Sequence, residues 1–144
     1  MQADLAKIGV TANIVSYEWG EYLRRSREME HDILMFGFNS DNGDPDNFLH
    51  SPLGCAGVRS GFNRAAWCYK PYDDLVVEAK RATDTAQRAE LYAKAQEIFK
   101  DQVPWLTLAH SVQTVVLRPE VVDYAMSPFG LHNFYGVEVG RAHV

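Results

Sequence analysis

Three carboxylates and three amides are concentrated in one nine-residue stretch of the chain. The stretch covers residues 39–47, and its acids are Asp41, Asp44 and Asp46. A calcium loop that started at Asp41 would need a Glu at its twelfth position, which is Pro52, so the spacing excludes that site. We expect an Asx-rich turn in which Asp44 or Asp46 caps a short helix. The alternative is a metal-dependent hydrolase that uses all three carboxylates.

Catalytic signatures are absent elsewhere in the sequence. The five histidines lie in dissimilar contexts, and no GxSxG, HExxH, P-loop or GxGxxG motif occurs. Neither cysteine has the electropositive neighbours that activate a thiolate. We therefore predict that the protein is not an enzyme and that it has no catalytic residues, no cofactor and no metal site.

Two cysteines, Cys55 and Cys68, leave two interpretations open. Their spacing matches no zinc pattern, because two CxxC pairs or a nearby histidine pair would be needed. A disulfide between them would contribute about 3 kcal/mol in an oxidising compartment. Two buried free thiols in a reducing compartment fit the composition equally well.

Composition limits the class of protein further. The chain has 144 residues, 47% of them hydrophobic and 23% charged, which is ordinary for one folded domain. A formal net charge of −5 gives no cationic field for a nucleic-acid backbone. No apolar stretch approaches the roughly 20 residues that a membrane-spanning helix needs.

The acidic stretch follows a predicted strand–helix–strand unit. Alternating residues predict a strand over 10–17, a helix capped by Ser16 that runs to about Glu28, and a buried strand over 32–38. In such a crossover unit the strands are parallel, so residues 39–47 would lie at the carboxyl end of a sheet, where ligands usually bind.

Further elements follow this unit. Residues 46–69 predict an irregular segment, residues 71–81 a short helix, and Asp84 caps the strongest helix, whose apolar stripe includes Ala89 and Leu91. Strands are predicted over 105–109 and 113–117, with another within 134–139. The first helix, over residues 1–8 before Gly9, has no capping residue, so we expect it to continue a longer helix and the chain to be part of a longer protein.

Three motifs in order resemble one family. Residues 16–23, 35–48 and 67–75 are similar to the C-terminal third of periplasmic dipeptide-binding proteins, the solute-binding components of bacterial ABC importers in the oligopeptide and nickel-binding family 5. The resemblance continues through residues 81–84, 90–92 and 109–111, and so covers nearly the whole chain.

This resemblance implies an α/β fold and a binding function. The 144 residues would form one incomplete lobe, a mixed sheet flanked by helices, of a two-lobed, type II-like periplasmic binding protein. The full-length protein would bind dipeptides or short peptides without covalent chemistry and deliver them to an inner-membrane ABC permease. Longer peptides, haem or another solute are alternatives within the same fold. An incomplete lobe exposes apolar surface, which favours a homo-oligomer of the isolated chain.

The resemblance also assigns site residues. The family aspartate that binds the α-ammonium group of the peptide falls on Asp41. Gly37, Phe38 and Asn39 correspond to the strand end that meets the ligand backbone and its first side chain. Relatives carry a disulfide in this region, which implies a Cys55–Cys68 bond and a periplasmic location. The residue that pairs with the peptide carboxylate would lie outside this chain.

Overall fold

The computed structural model of the chain describes residues 1–140, which fall into two compact units, residues 1–34 and a larger unit that begins at Met35. Nothing helical in this described part combines the length and apolar character needed to cross a membrane. The elements are α1 (Gln2–Lys7), α2 (Trp19–Arg27), α3 (Asp46–Leu49), α4 (Cys55–Ser60), α5 (Lys70–Arg81), α6 (Thr85–Gln102), β1 (Val121–Val122) and β2 (Glu138–Val139).

The first unit contains α1 and α2. No side chain caps α1, and the chain leaves it through Gly9, whose positive φ of 80° suits glycine. The predicted Ser16 cap of α2 is wrong. The N-cap is Glu18, whose carboxylate accepts hydrogen bonds from the backbone N–H groups of Gly20 at 2.8 Å and Glu21 at 3.3 Å. A negative charge is also favoured at the positive end of the helix dipole.

The core of the second unit lies between α5 and α6. Asp84 caps α6 as predicted, because its carboxylate accepts a 2.8 Å hydrogen bond from the N–H of Gln87. Ala89 is exposed, contrary to the predicted stripe, since it lies two residues, or about 200° around the helix, from buried Leu91. The buried apolar residues are Leu53, Tyr72, Val76, Ala79, Leu91, Tyr92 and Ala95.

The segment between the acidic stretch and α5 is more ordered than predicted. It contains α3 and α4, and a disulfide joins Cys55 to Cys68 with their Cα atoms 4.6 Å apart. Asn63, fully buried inside this ring, donates hydrogen bonds to the carbonyl oxygens of Gly54 at 3.3 Å and Trp67 at 2.8 Å. The disulfide that the family resemblance implies is therefore present, and a buried amide supports it from within.

A close backbone contact at Gly57 gives a first prediction. A Cβ atom added there would lie 2.5 Å from the carbonyl oxygen of Ser51 and 3.0 Å from Cβ of Asn63. Because neither neighbour is a flexible chain end, we expect Gly57→Ala to lower the free energy of unfolding by about 1–3 kcal/mol. Gly140→Ala is the control, since nothing lies within 4 Å of its Cβ position. Urea unfolding checks both variants, and equal midpoints would contradict the prediction.

The predicted strands over 10–17, 32–38, 105–109 and 113–117 are wrong as strands of this chain. These segments have no regular secondary structure, and the sheet found within residues 1–140 is the antiparallel pair of β1 and β2, in which Val121 is opposite Val139. The predicted strand within 134–139 is reduced to β2. Alternation of side chains predicts a strand, but a ladder needs a hydrogen-bonded neighbour. Apolar residues of these segments are consequently exposed, by 74% at Ile14, 74% at Leu106 and 92% at Val116.

Candidate functional site

Residues 39–47 form a loop that is shaped by its own polar side chains. The side chain of Asn42 accepts a 2.9 Å hydrogen bond from the N–H of Asp44, and the Asp44 carboxylate accepts one of 2.9 Å from the N–H of Asp46. The side-chain oxygen of Asn47 accepts a 3.0 Å bond from the N–H of Asp41. The predicted Asx turn is thus confirmed at Asp44. The predicted helix cap is wrong, because the N-cap of α3 is Pro45, and no side chain makes a capping hydrogen bond there.

Asp44 is also the most firmly held carboxylate of the loop. Its two oxygens accept hydrogen bonds of 2.8 and 2.7 Å from the guanidinium group of Arg88 on α6. These bonds lower the pKa of Asp44 below its usual value, so the carboxylate is charged at neutral pH. Two parallel bonds fix orientation as well as distance, and the loop is therefore attached to the core helix.

Asp46 has a weaker counter-ion. Its carboxylate lies 3.5 Å from the ammonium group of Lys80 on α5, and its side chain is largely buried, with 18% exposed. Asp46 is also the first residue of α3, where a negative charge is favoured. Lys80 and the N-terminal end of α3 therefore already stabilise the negative charge of Asp46.

Asp41 differs from both. It is exposed, and its carboxylate has no ion pair or hydrogen bond with any residue in the part of the chain that the structure describes. Its backbone is nevertheless held by Asn47. Among residues 1–140 the loop thus presents one carboxylate, that of Asp41, on a hydrogen-bonded backbone and without a counter-ion.

The extended segment directly before the loop, residues 37–39, combines an exposed backbone with an aromatic cluster. Phe38 is half-buried, and its ring meets those of Phe48 and Phe62 edge-on, at centroid distances of 5.5 and 5.7 Å. Gly37 has no atom within 4 Å of its Cβ position, so its backbone is accessible. Asn39 is exposed beside Gly130, whose Cβ position is 3.6 Å from the Asn39 amide nitrogen.

All four predicted ligand-binding residues lie within residues 37–41 of the second unit, where Gly37, Asn39 and Asp41 are exposed and Phe38 is half-buried. The structure adds two residues that the sequence did not single out. Arg88 holds Asp44, and the ring of Phe129 lies 3.0 Å from the Cβ position of Gly43, where a side chain would not fit. Neither contact has a local signal, because Arg88 and Phe129 are 44 and 86 residues from their partners along the chain.

The cluster of three carboxylates is not available as a metal site. Two of its members face Arg88 and Lys80, so they are neutralised by protein cations. Over residues 1–140, no group of three or more His, Cys, Asp or Glu side chains is arranged to hold a metal ion. Within the described part of the chain, the arrangement instead offers one carboxylate without an ion pair, an exposed backbone at Gly37 and an aromatic cluster around Phe38.

Comparison with known proteins gives consistent similarities. Residues 1–60 match the family model described as bacterial extracellular solute-binding proteins, family 5 middle. Di/tripeptide-binding protein 1 of Pseudomonas aeruginosa (strain UCBPP-PA14) is 50% identical over 141 residues, which are 98% of this chain and 26% of that protein. The chain thus spans about a quarter of the length of this curated relative.

Two solved structures of peptide-binding proteins are also similar to this chain. The dipeptide-binding protein of Pseudoalteromonas sp. SM9913 in complex with Met-Leu has a TM-score of 0.86 and 35% identity, covering 96% of this chain and 27% of that one. An ABC transporter-associated periplasmic binding protein of Helicobacter pylori in complex with the peptide STSA has a TM-score of 0.86 and 32% identity, covering 97% and 28%.

Proposed function

We propose that the chain is part of a family 5 bacterial extracellular solute-binding protein and that it supplies the part of a peptide-binding site that receives the ligand's α-ammonium group. The observation that carries this proposal is the difference between the three loop carboxylates. Asp44 and Asp46 have counter-ions on α6 and α5, whereas Asp41 is held in place with its charge free. A free carboxylate on an ordered loop is what an ammonium ligand requires.

The neighbouring residues fit an extended peptide. The accessible backbone at Gly37 and Asn39 can hydrogen-bond the ligand main chain in the manner of an added strand. Phe38 offers the exposed part of its ring to the first side chain of the ligand. Binding is non-covalent, and the site uses no cofactor.

The remainder of the site belongs to other parts of a longer protein. The chain covers about a quarter of its relatives, so the second lobe and the partner of the peptide carboxylate would come from sequence beyond these residues. We propose that the 144 residues are part of one incomplete α/β lobe of that longer protein. The isolated chain would therefore bind dipeptides weakly, and its exposed apolar residues favour self-association.

Delivery to an ABC permease in the inner membrane follows from the same proposal. A disulfide in the folded chain is in keeping with the oxidising periplasm. Longer peptides and haem are the alternative ligands. A longer peptide also has an α-ammonium group for the carboxylate to bind, whereas haem has none.

Calorimetric titration of the full-length protein tests the proposal. We expect a free dipeptide such as Met-Leu to bind and its N-acetylated form to bind at least about tenfold more weakly, because acetylation removes the ammonium charge. Haem is titrated in parallel. Equal affinity for the free and acetylated peptides would overturn the assignment of the amino-end site, and binding of haem alone would overturn the peptide function.

A further inference from the structure

Arg88, on the core helix α6, contacts three separate parts of the second unit. In addition to its two bonds to Asp44, its Nε donates a 3.0 Å hydrogen bond to the carbonyl oxygen of Ala79 in α5, and a terminal nitrogen lies 3.3 Å from the hydroxyl of Tyr92. The guanidinium carbon is 5.3 Å from the centroid of the Tyr92 ring. One side chain thus connects α5, α6 and the acidic loop.

This connection differs from the other ion pairs of the described residues. Most of those join neighbours on one helix or its end, such as Lys94 and Glu90, and have largely exposed side chains. The Arg88–Asp44 pair spans 44 residues along the chain, and its side chains are 27% and 31% exposed. Exposed helix pairs contribute little, whereas a partly buried bidentate pair with further acceptors restricts both partners.

A short hydrogen-bonded path leads from Arg88 to the free carboxylate. Asp44, which Arg88 holds, accepts a 3.1 Å bond at its carbonyl oxygen from the N–H of Asn47. The side chain of Asn47 in turn accepts the 3.0 Å bond from the N–H of Asp41. The backbone position of Asp41 therefore depends on the turn that Arg88 holds against the core.

We propose that Arg88 is a positioning residue for ligand binding, which orients Asp41 through Asp44 and Asn47 without contacting the ligand. This role rests on the proposed function, since it acts through the ammonium-binding carboxylate. Placement errors of about 1 Å can change the strength of a directed interaction by as much as about 100-fold. The preformed loop would then be part of what makes the site selective for an ammonium group.

The test is a double-mutant cycle in the full-length protein. Arg88→Met retains the length and the apolar contacts of the side chain but removes its charge and its donors. We expect it to weaken binding of a free dipeptide by about tenfold or more, but to change affinity less than about twofold in an Asp41→Asn background. Arg88→Lys is expected to be intermediate, because a lysine cannot make the bidentate bond. Lys94→Met on the same helix is the matched control and should leave the affinity unchanged.

Amide hydrogen exchange measured by NMR supplies a readout that needs no ligand. In Arg88→Met the amides of Asp41 and Asp46 should exchange faster, while the amide of Ala65, which bonds to the side chain of Asn63 at 3.2 Å, should not change. A purely structural role predicts equal losses of affinity in both backgrounds and faster exchange at Ala65, and that result would overturn the proposal. Unchanged exchange at Asp41 would overturn it as well. If the unsubstituted protein binds no dipeptide, the proposed function fails together with the role of Arg88 in binding, but the exchange data still decide whether Arg88 orders the loop.

Discussion

Asp41→Asn is expected to weaken dipeptide binding to the full-length protein by about 2–5 kcal/mol, which is roughly 30-fold or more. The substitution keeps the shape of the side chain and removes the charge that we propose to bind the ligand ammonium group. The loop itself should remain folded, because it is the backbone N–H of Asp41 that bonds to Asn47. Calorimetric titration of a free dipeptide gives the affinity, and thermal unfolding without ligand checks the fold.

Asp46→Asn is the matched control for this effect. It removes a carboxylate from the same loop, but one whose charge already faces Lys80 at 3.5 Å. We expect its effect on affinity to be within about threefold, since screening limits interactions between separated charges. An equal loss of affinity in both variants would indicate that the negative charge of the loop acts on the ligand at a distance, rather than through a direct contact with Asp41. A loss in Asp41→Asn that is equally large for the N-acetylated peptide would contradict the ammonium assignment.

Replacement of both Cys55 and Cys68 by alanine is expected to lower the free energy of unfolding by about 3 kcal/mol. The disulfide closes a ring with a sequence separation of 13, and the chain-entropy model assigns most of its effect to restriction of the unfolded chain. The ring also positions α4 against α5, since the N–H of Cys55 donates a 2.8 Å hydrogen bond to the Asp73 carboxylate. Urea unfolding of the full-length protein, followed by tryptophan fluorescence, measures the change.

A reducing agent supplies the internal control for the disulfide. It should shift the unfolding midpoint of the unsubstituted protein toward that of the double variant and should leave the double variant unchanged. Coinciding midpoints for oxidised and reduced protein would refute a stabilising role. Dipeptide affinity should change much less than stability, because neither cysteine belongs to the proposed ligand surface.

Elements that depend on neighbouring residues were predictable from the sequence. The Asp84 cap, the helix that follows Pro71 and the turn at Asp44 are all set within a few residues, and each is present. The sequence predicted Ser16 as the cap of α2, whereas the folded backbone places the Glu18 carboxylate on the first N–H groups of the helix. The strand predictions were wrong for a different reason. Alternating side chains around Ile14 or Val116 are typical of a strand, but they do not show whether another strand lies beside it to form hydrogen bonds.

The candidate site was likewise only partly predictable from the sequence. The sequence locates the acidic loop, and the family resemblance selects Asp41 within it, but the residues alone do not distinguish three similar carboxylates. The distinction comes from Arg88 and Lys80, cations that lie on helices far along the chain. Long-range pairing of this kind has no local signature, so the positioning of Asp41 could be found only from the folded structure.

The buried side chain of Asn63 has a consequence for how the disulfide of this segment forms. The two carbonyl groups that it binds belong to Gly54 and Trp67, the residues directly before Cys55 and Cys68. A reduced chain that forms these two bonds already holds its thiols next to each other, which raises their effective concentration. Thiol oxidation then closes a ring whose shape is already established, so correct pairing can follow from the fold of this segment rather than from trial rearrangements.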